Sequence, residues 1–207
     1  MSEVLEIITE NTLVWVPNLD IALPINSTDI PAFKKWVEWN GIHRGHDGYD
    51  FAAYIDEKDE CVLGLPSETK VRAVADGIVS CVVYPHTYGR PYYSNVYMDH
   101  GKMDMGMQSF YVHVLPLVEY GQSVKKGDVI GTLYSDPPGA EWGQLVHLHF
   151  ALFNGGRIKP RLVNPSEIFP ELSELIAEPQ GRRRFTIRQL EVQPQFRVAN
   201  FDYLLLN

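Results

Sequence analysis

Apolar and polar residues alternate most strictly at Val146-His147-Leu148-His149-Phe150. Period-two alternation predicts a half-buried strand, with Val146, Leu148 and Phe150 turned to a core and both imidazoles on the opposite face. Two positions apart on a strand, the histidines lie roughly 7 Å from one another, close enough to share one small site. Other short apolar runs bounded by turn signals precede this one. They are 69–74 with a turn at Asp76-Gly77, 78–83, 94–98 ending at His100-Gly101, 109–114, and the two arms of 121–131. Many short strands at regular spacing indicate an all-β sandwich or barrel.

The flanks read differently. A β-prone piece at 12–16 precedes a short predicted helix opened by Asp29 and Pro31, with Phe33, Trp36 and Val37 on one face at helical spacing. Trp36 and Trp39 read as packing residues. Residues 54–65 contain the run Asp56-Glu57-Lys58-Asp59-Glu60, which predicts an exposed insertion loop. Near the end, 165–177 predicts a helix with Ile168, Phe169, Leu172, Leu175 and Ile176 inward, and Phe185, Ile187, Leu190 and Val192 alternate as in a strand. The expected organisation is an N-terminal extension (1–40), an antiparallel β-sandwich-like domain (41–165), and a C-terminal helix and β extension (166–207), with one helix in each extension.

Composition narrows the function classes. With 207 residues, 45% of them hydrophobic and 12% aromatic, the chain can bury a substantial core. Its formal charge of −8 disfavours nucleic acid or an anionic membrane as a partner. No stretch approaches the ~18 apolar residues of a membrane span. The opening residues carry no basic leader or apolar core of signal length, so the chain reads as soluble and without an export signal. Cys61 and Cys81 lack the Cys-x-x-Cys spacing of a zinc ribbon or redox motif.

Candidate chemistry gathers in three motifs: His46-x-x-x-Asp50, Tyr111-Val112-His113, and His147-Leu148-His149. The glycines around His46 disfavour a helix and place 46–53 as a turn entering a strand, with His46 and Asp50 on one face. Imidazole and carboxylate are ligands for zinc, and a catalytic zinc site keeps three protein ligands and one open position. Spacing alone leaves open which of His147 and His149 would bind a metal. Of the other histidines, His43 reads as a surface residue, His86 as part of a turn, and His100 as a structural hydrogen-bonding residue at a strand end.

In this order the motifs resemble peptidase family M23, the lysostaphin-type zinc metallopeptidases that cut peptidoglycan peptides. The resemblance runs over about 41–165. It includes Gly48-Tyr49-Asp50-Phe51-Ala52-Ala53, Val71-Arg72-Ala73-Val74-Ala75-Asp76-Gly77, Asn95-Val96 with His100-Gly101, the stretch 121–131, and His147-Leu148-His149-Phe150. It implies one zinc per chain held by His46, Asp50 and His149, with His113 and His147 as catalytic histidines beside the metal. Such an arrangement hydrolyses an amide with a metal-activated water, a histidine general base and a histidine that stabilises the oxyanion. Tyr111, expected to share a strand face with His113, is a further candidate for assisting the oxyanion.

The resemblance also implies a peptide substrate and action in the periplasm or outside the cell, and the acidic charge leaves no role for nucleic acid. An intracellular peptide substrate stays open because no export signal is visible. The segment 54–65 is longer than the family's usual turn, and Glu141-Trp142-Gly143-Gln144 replaces its usual approach to the His-x-His pair. Two other classes compete with the enzyme reading. One is a catalytically silent binding or activator module on the same scaffold, against which all five positions are retained. The other is a biotinyl- or lipoyl-type carrier hairpin at 121–131, which would have no use for His46 and Asp50.

Overall fold

Strands form wherever the alternating pattern can bury one face. The computed structural model describes residues 21–37, 47–85, 94–101, 106–134, 145–154, 161–163, 168–173 and 185–187. A 3-10 turn at Ser27–Asp29 leads into β1 (Phe33–Val37), then β2 (Tyr49–Phe51), β3 (Ala53–Asp56), β4 (Cys61–Leu63) and β5 (Lys70–Arg72). The chain continues through β6 (Gly77–Val83), β7 (Asn95–His100), β8 (Met107–Val112), β9 (Val114–Pro116), β10 (Ser123–Val124) and β11 (Val129–Leu133). The series ends with β12 (Leu148–Asn154), β13 (Arg161–Val163), the single-turn helix α1 (Pro170–Ser173) and β14 (Phe185–Ile187).

The fold is mainly antiparallel β. Its largest sheet has the order β10-β6-β7-β8-β12-β13, and β2 joins the same edge of β12 at residues 148–150 that β13 occupies at 152–154. A three-stranded sheet, β5-β11-β9, and a four-stranded sheet, β1-β3-β4-β14, complete the architecture. The inner face of the large sheet supplies Val96, Met98, Tyr111, Leu148, Phe150 and Leu152 to the main core. Alternation from Val146 to Phe150 holds as read, with the three apolar residues buried and the two histidines partly exposed. Burying such side chains contributes about 1.5–3 kcal/mol each, and turning them inward obliges residues 147 and 149 to face the other way.

Two expectations are corrected. The helix expected after Asp29 is a strand, β1, paired with β3. Ala32 takes a positive φ of 55°, which no helix tolerates, and a register shift between Phe33 and Lys35 marks a bulge. That extra residue lets Phe33 and Trp36 meet with ring centroids 4.9 Å apart, imitating helical spacing in the sequence. The expected loop at 54–65 is a largely buried hairpin, β3–β4, of which only 57–60 are exposed. Asp56 sits at its turn, and one carboxylate oxygen accepts hydrogen bonds from the backbone N–H groups of Lys58 and Glu60 at 2.9 Å each. The charged run is the tip of the hairpin, and the apolar residues on both sides belong to its buried arms.

The N-terminal segment is tied to the main core. Ile25, Ile30 and Trp36 are buried in it, Ala22 N–H donates to Val74 O, and Arg72 donates through Nε and Nη2 to Asp29 Oδ2. Of the expected C-terminal helix, 170–173 is helical, with Leu172 buried, while 164–167 and 174–177 lie outside the described residues. The strand expected at 12–16 and residues Leu190 and Val192 also lie outside them. β14 pairs in parallel with β4. Cys61 and Cys81 stand in different sheets and are not joined to each other. Among the described residues no helix is long and apolar enough to cross a membrane.

Candidate functional site

The outer face of the large sheet carries the site. Because residues directly opposite on paired strands share a face, the register sets out one transverse row: Asp50 opposite His149, His149 opposite Val112, and Val112 opposite Asn95. His149 Nδ1 lies 3.0 Å from Asp50 Oδ1, and Asp50 is buried. The other ring nitrogen, Nε2, is 3.5 Å from Asp47 Oδ1. Burial of the His149 ring opposes its charge, but hydrogen bonds to Asp47 and Asp50, together with their charges, outweigh it and carry its pKa up to about 9. Two carboxylates flanking one imidazole make a locus that favours positive charge.

His147 is held differently. Its Nδ1 lies 2.8 Å from the carbonyl oxygen of Leu145, which can only accept, so Nδ1 carries the proton. Nε2 is then the basic nitrogen, 3.9 Å from Asp50 Oδ1. The His113 ring packs against it, with centroids 4.6 Å apart. His113 gets there through a backbone device: it follows the last residue of β8 and takes a left-handed φ of 66°. Such a conformation costs of order 1–3 kcal/mol and persists only where neighbours hold it. Here Tyr134 N–H donates to His113 O, Val114 N–H donates to Ser94 O, and the Ser94 hydroxyl donates to Val114 O at 2.6 Å.

That turn separates His113 from Tyr111. Tyr111 does not share its face; it is fully buried in the core, where its ring lies 5.3 Å from Phe150. Its hydroxyl accepts the Val74 N–H at 3.0 Å and lies 3.0 Å from Ser109 Oγ. Burial pushes its pKa well above the usual tyrosine value. The geometry therefore gives Tyr111 a structural hydrogen-bond role and does not bring it to the histidines. His100 fills the end of the same buried chain, with Nε2 2.7 Å from Ser109 Oγ and Nδ1 2.9 Å from Asp76 O, as expected of a structural histidine.

His46, His43 and His86 lie outside the described residues. Among the described residues no group of three or more His, Cys, Asp or Glu side chains is arranged to hold a metal ion. The two expected ligands that are described, Asp50 and His149, are adjacent and offer the carboxylate oxygen and imidazole nitrogen that zinc accepts. This donor chemistry fits the metal.

Sequence reading passed over two further residues. Asp47 was an unassigned position inside His46-x-x-x-Asp50, yet its carboxylate meets the outer nitrogen of His149. Metal-binding histidines commonly donate their second N–H to such a partner. In the sequence Asn95 stands out only as part of the Asn95-Val96 segment. It lines an open cavity of about 400 Å³ that reaches from Tyr97 and Phe110 to His113 and His149. Its place in the row with His149 is visible only once strand register is known.

Gly48 completes the construction. A Cβ there would lie 2.6 Å from His149 Cε1 and Nε2 and 2.8 Å from Phe150 O. Only a glycine leaves room for the His149 ring in this position.

Among solved structures the chain is similar to LytU, with 20% identity and a TM-score of 0.43 over 66% of this chain and 83% of that one. It is similar to lysostaphin from Staphylococcus simulans at 19% identity and a TM-score of 0.45, over 75% of this chain and 56% of that one. The catalytic domain of the prophage-encoded M23 protein EnpA from Enterococcus faecalis aligns at 22% identity and a TM-score of 0.39, over 64% and 86%. The alignment thus spans little more than half of lysostaphin's length. No curated protein sequence matches this one. The sequence model of Peptidase family M23 matches residues 44–160, which hold all three histidine motifs and make up more than half of the 207 residues, and the chain belongs to that family.

Proposed function

We propose that this protein is a zinc-dependent endopeptidase that hydrolyses amide bonds in peptidoglycan peptides or cross-bridges. The observation that carries the reading is the unequal treatment of the two histidines of the His-x-His pair. His149 turns Nδ1 to the buried carboxylate of Asp50, as a ligand would, whereas His147 has its Nδ1 proton committed to Leu145 O and keeps a basic Nε2. Family membership supports a peptidase, and the resemblance carried by the three histidine motifs supports a wall peptide as substrate.

Asp50 and His149, with His46 as the third ligand, would hold the zinc. When bound, zinc supplies Lewis acidity that acidifies water and polarises an amide carbonyl. The chain's own residues do the rest. His147 Nε2 takes the proton from the attacking water and returns it to the departing amine. His113, packed against His147, donates a hydrogen bond to the developing oxyanion. Asp47 orients the His149 ring through Nε2, and Gly48 leaves the ring its space. The test is hydrolysis of purified peptidoglycan and of short peptide fragments with zinc supplied, followed by mass spectrometry of the new amines. The expected result is amide cleavage that falls by at least ~10²-fold in His147→Ala, within the range for loss of a general base. Cleavage that survives this substitution unchanged would remove His147 from the mechanism.

A further inference from the structure

Asn95, on the wall of the cavity beside the site, carries an unmet hydrogen-bond acceptor. Asn95 is only 1% exposed, and its Oδ1 has no hydrogen-bond partner among the described residues, while its Nδ2 donates to the Tyr97 hydroxyl at 3.1 Å. A buried amide oxygen left unpaired costs about 1–3 kcal/mol, so its retention on a cavity wall points to a ligand that supplies the missing donor. The rest of the wall selects among donors. Tyr97 and Phe110 present aromatic rings with centroids 4.5 Å apart, Ala151 adds only a methyl group to the lining, and the exposed carboxylate of Asp47 belongs to it too. Aromatic faces and a carboxylate both attract a cation; among the described residues no lysine or arginine lines the cavity, and the His149 ring at its other end is balanced by the two carboxylates of Asp47 and Asp50.

We infer that this cavity is a subsite for a primary ammonium group of the substrate, with Asn95 Oδ1 as its acceptor, Tyr97 and Phe110 as its wall and Asp47 as its counter-charge. The inference rests on the peptidase reading for the identity of the neighbouring cleavage centre. Asn95 and His149 are two strand spacings apart in the transverse row, roughly 10 Å. An extended peptide covers that distance in about three residues, and a long amine-bearing side chain also covers it. The subsite thus accepts either the amino terminus of a peptide a few residues from the cut bond or a side-chain ammonium nearer to it. A substrate whose amine is already acylated loses this contact.

The experiment is an NMR titration of the isotope-labelled full chain, with no metal added so that nothing turns over. The probes are triglycine amide, N-acetyltriglycine amide, and Nα-acetyllysine amide. At least one amine-bearing probe is expected to shift the backbone signals of Asn95, Tyr97, Phe110 and Ala151 and to bind at least ~10-fold more tightly than the acetylated triglycine. Preference for triglycine amide assigns the ammonium to a peptide terminus, and preference for the lysine derivative assigns it to a side chain. Asn95→Leu is expected to weaken the preferred probe about tenfold without altering the acetylated one. Asp47→Asn, at an exposed position that removes no packing, is expected to weaken it several-fold and guards against a folding failure in the first variant. Equal binding of acetylated and free probes, or shifts confined to other surfaces, would overturn the subsite. Hydrolysis assays with zinc separate the two readings. Amine-selective binding without any hydrolysis leaves the subsite standing and removes the peptidase function. Hydrolysis that ignores both acetylation and Asn95→Leu does the reverse.

Discussion

Replacing Gly48 by alanine tests whether the placement of His149 governs metal binding, because it displaces a proposed ligand without replacing any of them. The new methyl carbon would stand 2.6 Å from two atoms of the His149 ring and 2.8 Å from the Phe150 carbonyl oxygen. The carbonyl belongs to β12, which is paired on both sides, so it yields least. To reach an ordinary contact of 3.4 Å the ring must retreat by about 0.8 Å, moving Nδ1 relative to Asp50 Oδ1. Overpacking of this kind costs about 1–3 kcal/mol of stability. Disturbing the support of a ligand typically lowers metal affinity by about 10–100-fold. Zinc affinity, measured by competition with a chelator, is expected to fall in that range while the folded state survives. Gly121→Ala serves as the control. Gly121 has a φ of 80° with nothing within 4 Å of its virtual Cβ, so alanine costs about 1 kcal/mol through backbone strain and leaves zinc binding unchanged. Zinc affinity in Gly48→Ala within twofold of the parent would refute the argument that this glycine exists for the histidine.

Tyr111→Phe removes a hydroxyl that accepts from Val74 N–H and adjoins Ser109, so it is expected to cost about 1–3 kcal/mol in denaturant unfolding with kcat/KM unchanged. A hundredfold loss of kcat in a normally stable variant would instead return Tyr111 to the oxyanion. His100 supplies a pH dependence of stability. Burial, the larger effect, holds its folded pKa below the usual 6.5, against the opposing Asp76 carbonyl and the charges of Asp99 and Asp76. The unfolded chain therefore binds a proton first, and stability is fully present above about pH 6.5 and declines as pH falls toward the depressed folded value, by at most ~1.4 kcal/mol per unit from this group. Urea midpoints from pH 7.5 to 5 check the sign, and a His100→Gln variant with an equally steep acid loss would acquit this histidine. Arg72→Met leaves Asp29 partly buried without its guanidinium partner and is expected to lower stability by about 1–2 kcal/mol, with zinc affinity unaltered. An unchanged melting temperature would show that the N-terminal segment is held by its apolar contacts alone.

Sequence patterning exposed the parts of the candidate site whose placement obeys a local rule. The outward placement of His147 and His149 was legible because Val146, Leu148 and Phe150 must go inward, and Asp50 stands on the expected strand, which meets β12. What stayed hidden depended on breaks in that rule or on register. The bulge in β1 put Phe33 and Trp36 three residues apart on one side and so copied a helix. The charged tip of the β3–β4 hairpin masked two buried arms, since Asp56 looks solvated in sequence but accepts turn N–H groups in the structure. One left-handed residue, His113, reversed the expected relation between Tyr111 and the site. Asp47 and Asn95 could be placed only after the pairing of β7, β8, β12 and β2 was known, because no spacing in sequence relates position 95 to position 149.

The most direct test of the account is the zinc content of the purified full chain, compared with Asp50→Ala and His149→Ala. The account predicts about one zinc per chain in the parent, little in either variant, and amide hydrolysis of peptidoglycan fragments by the parent alone. A parent chain that takes up no zinc even when the ion is supplied in excess, or that holds it equally well without Asp50 and His149, would contradict it.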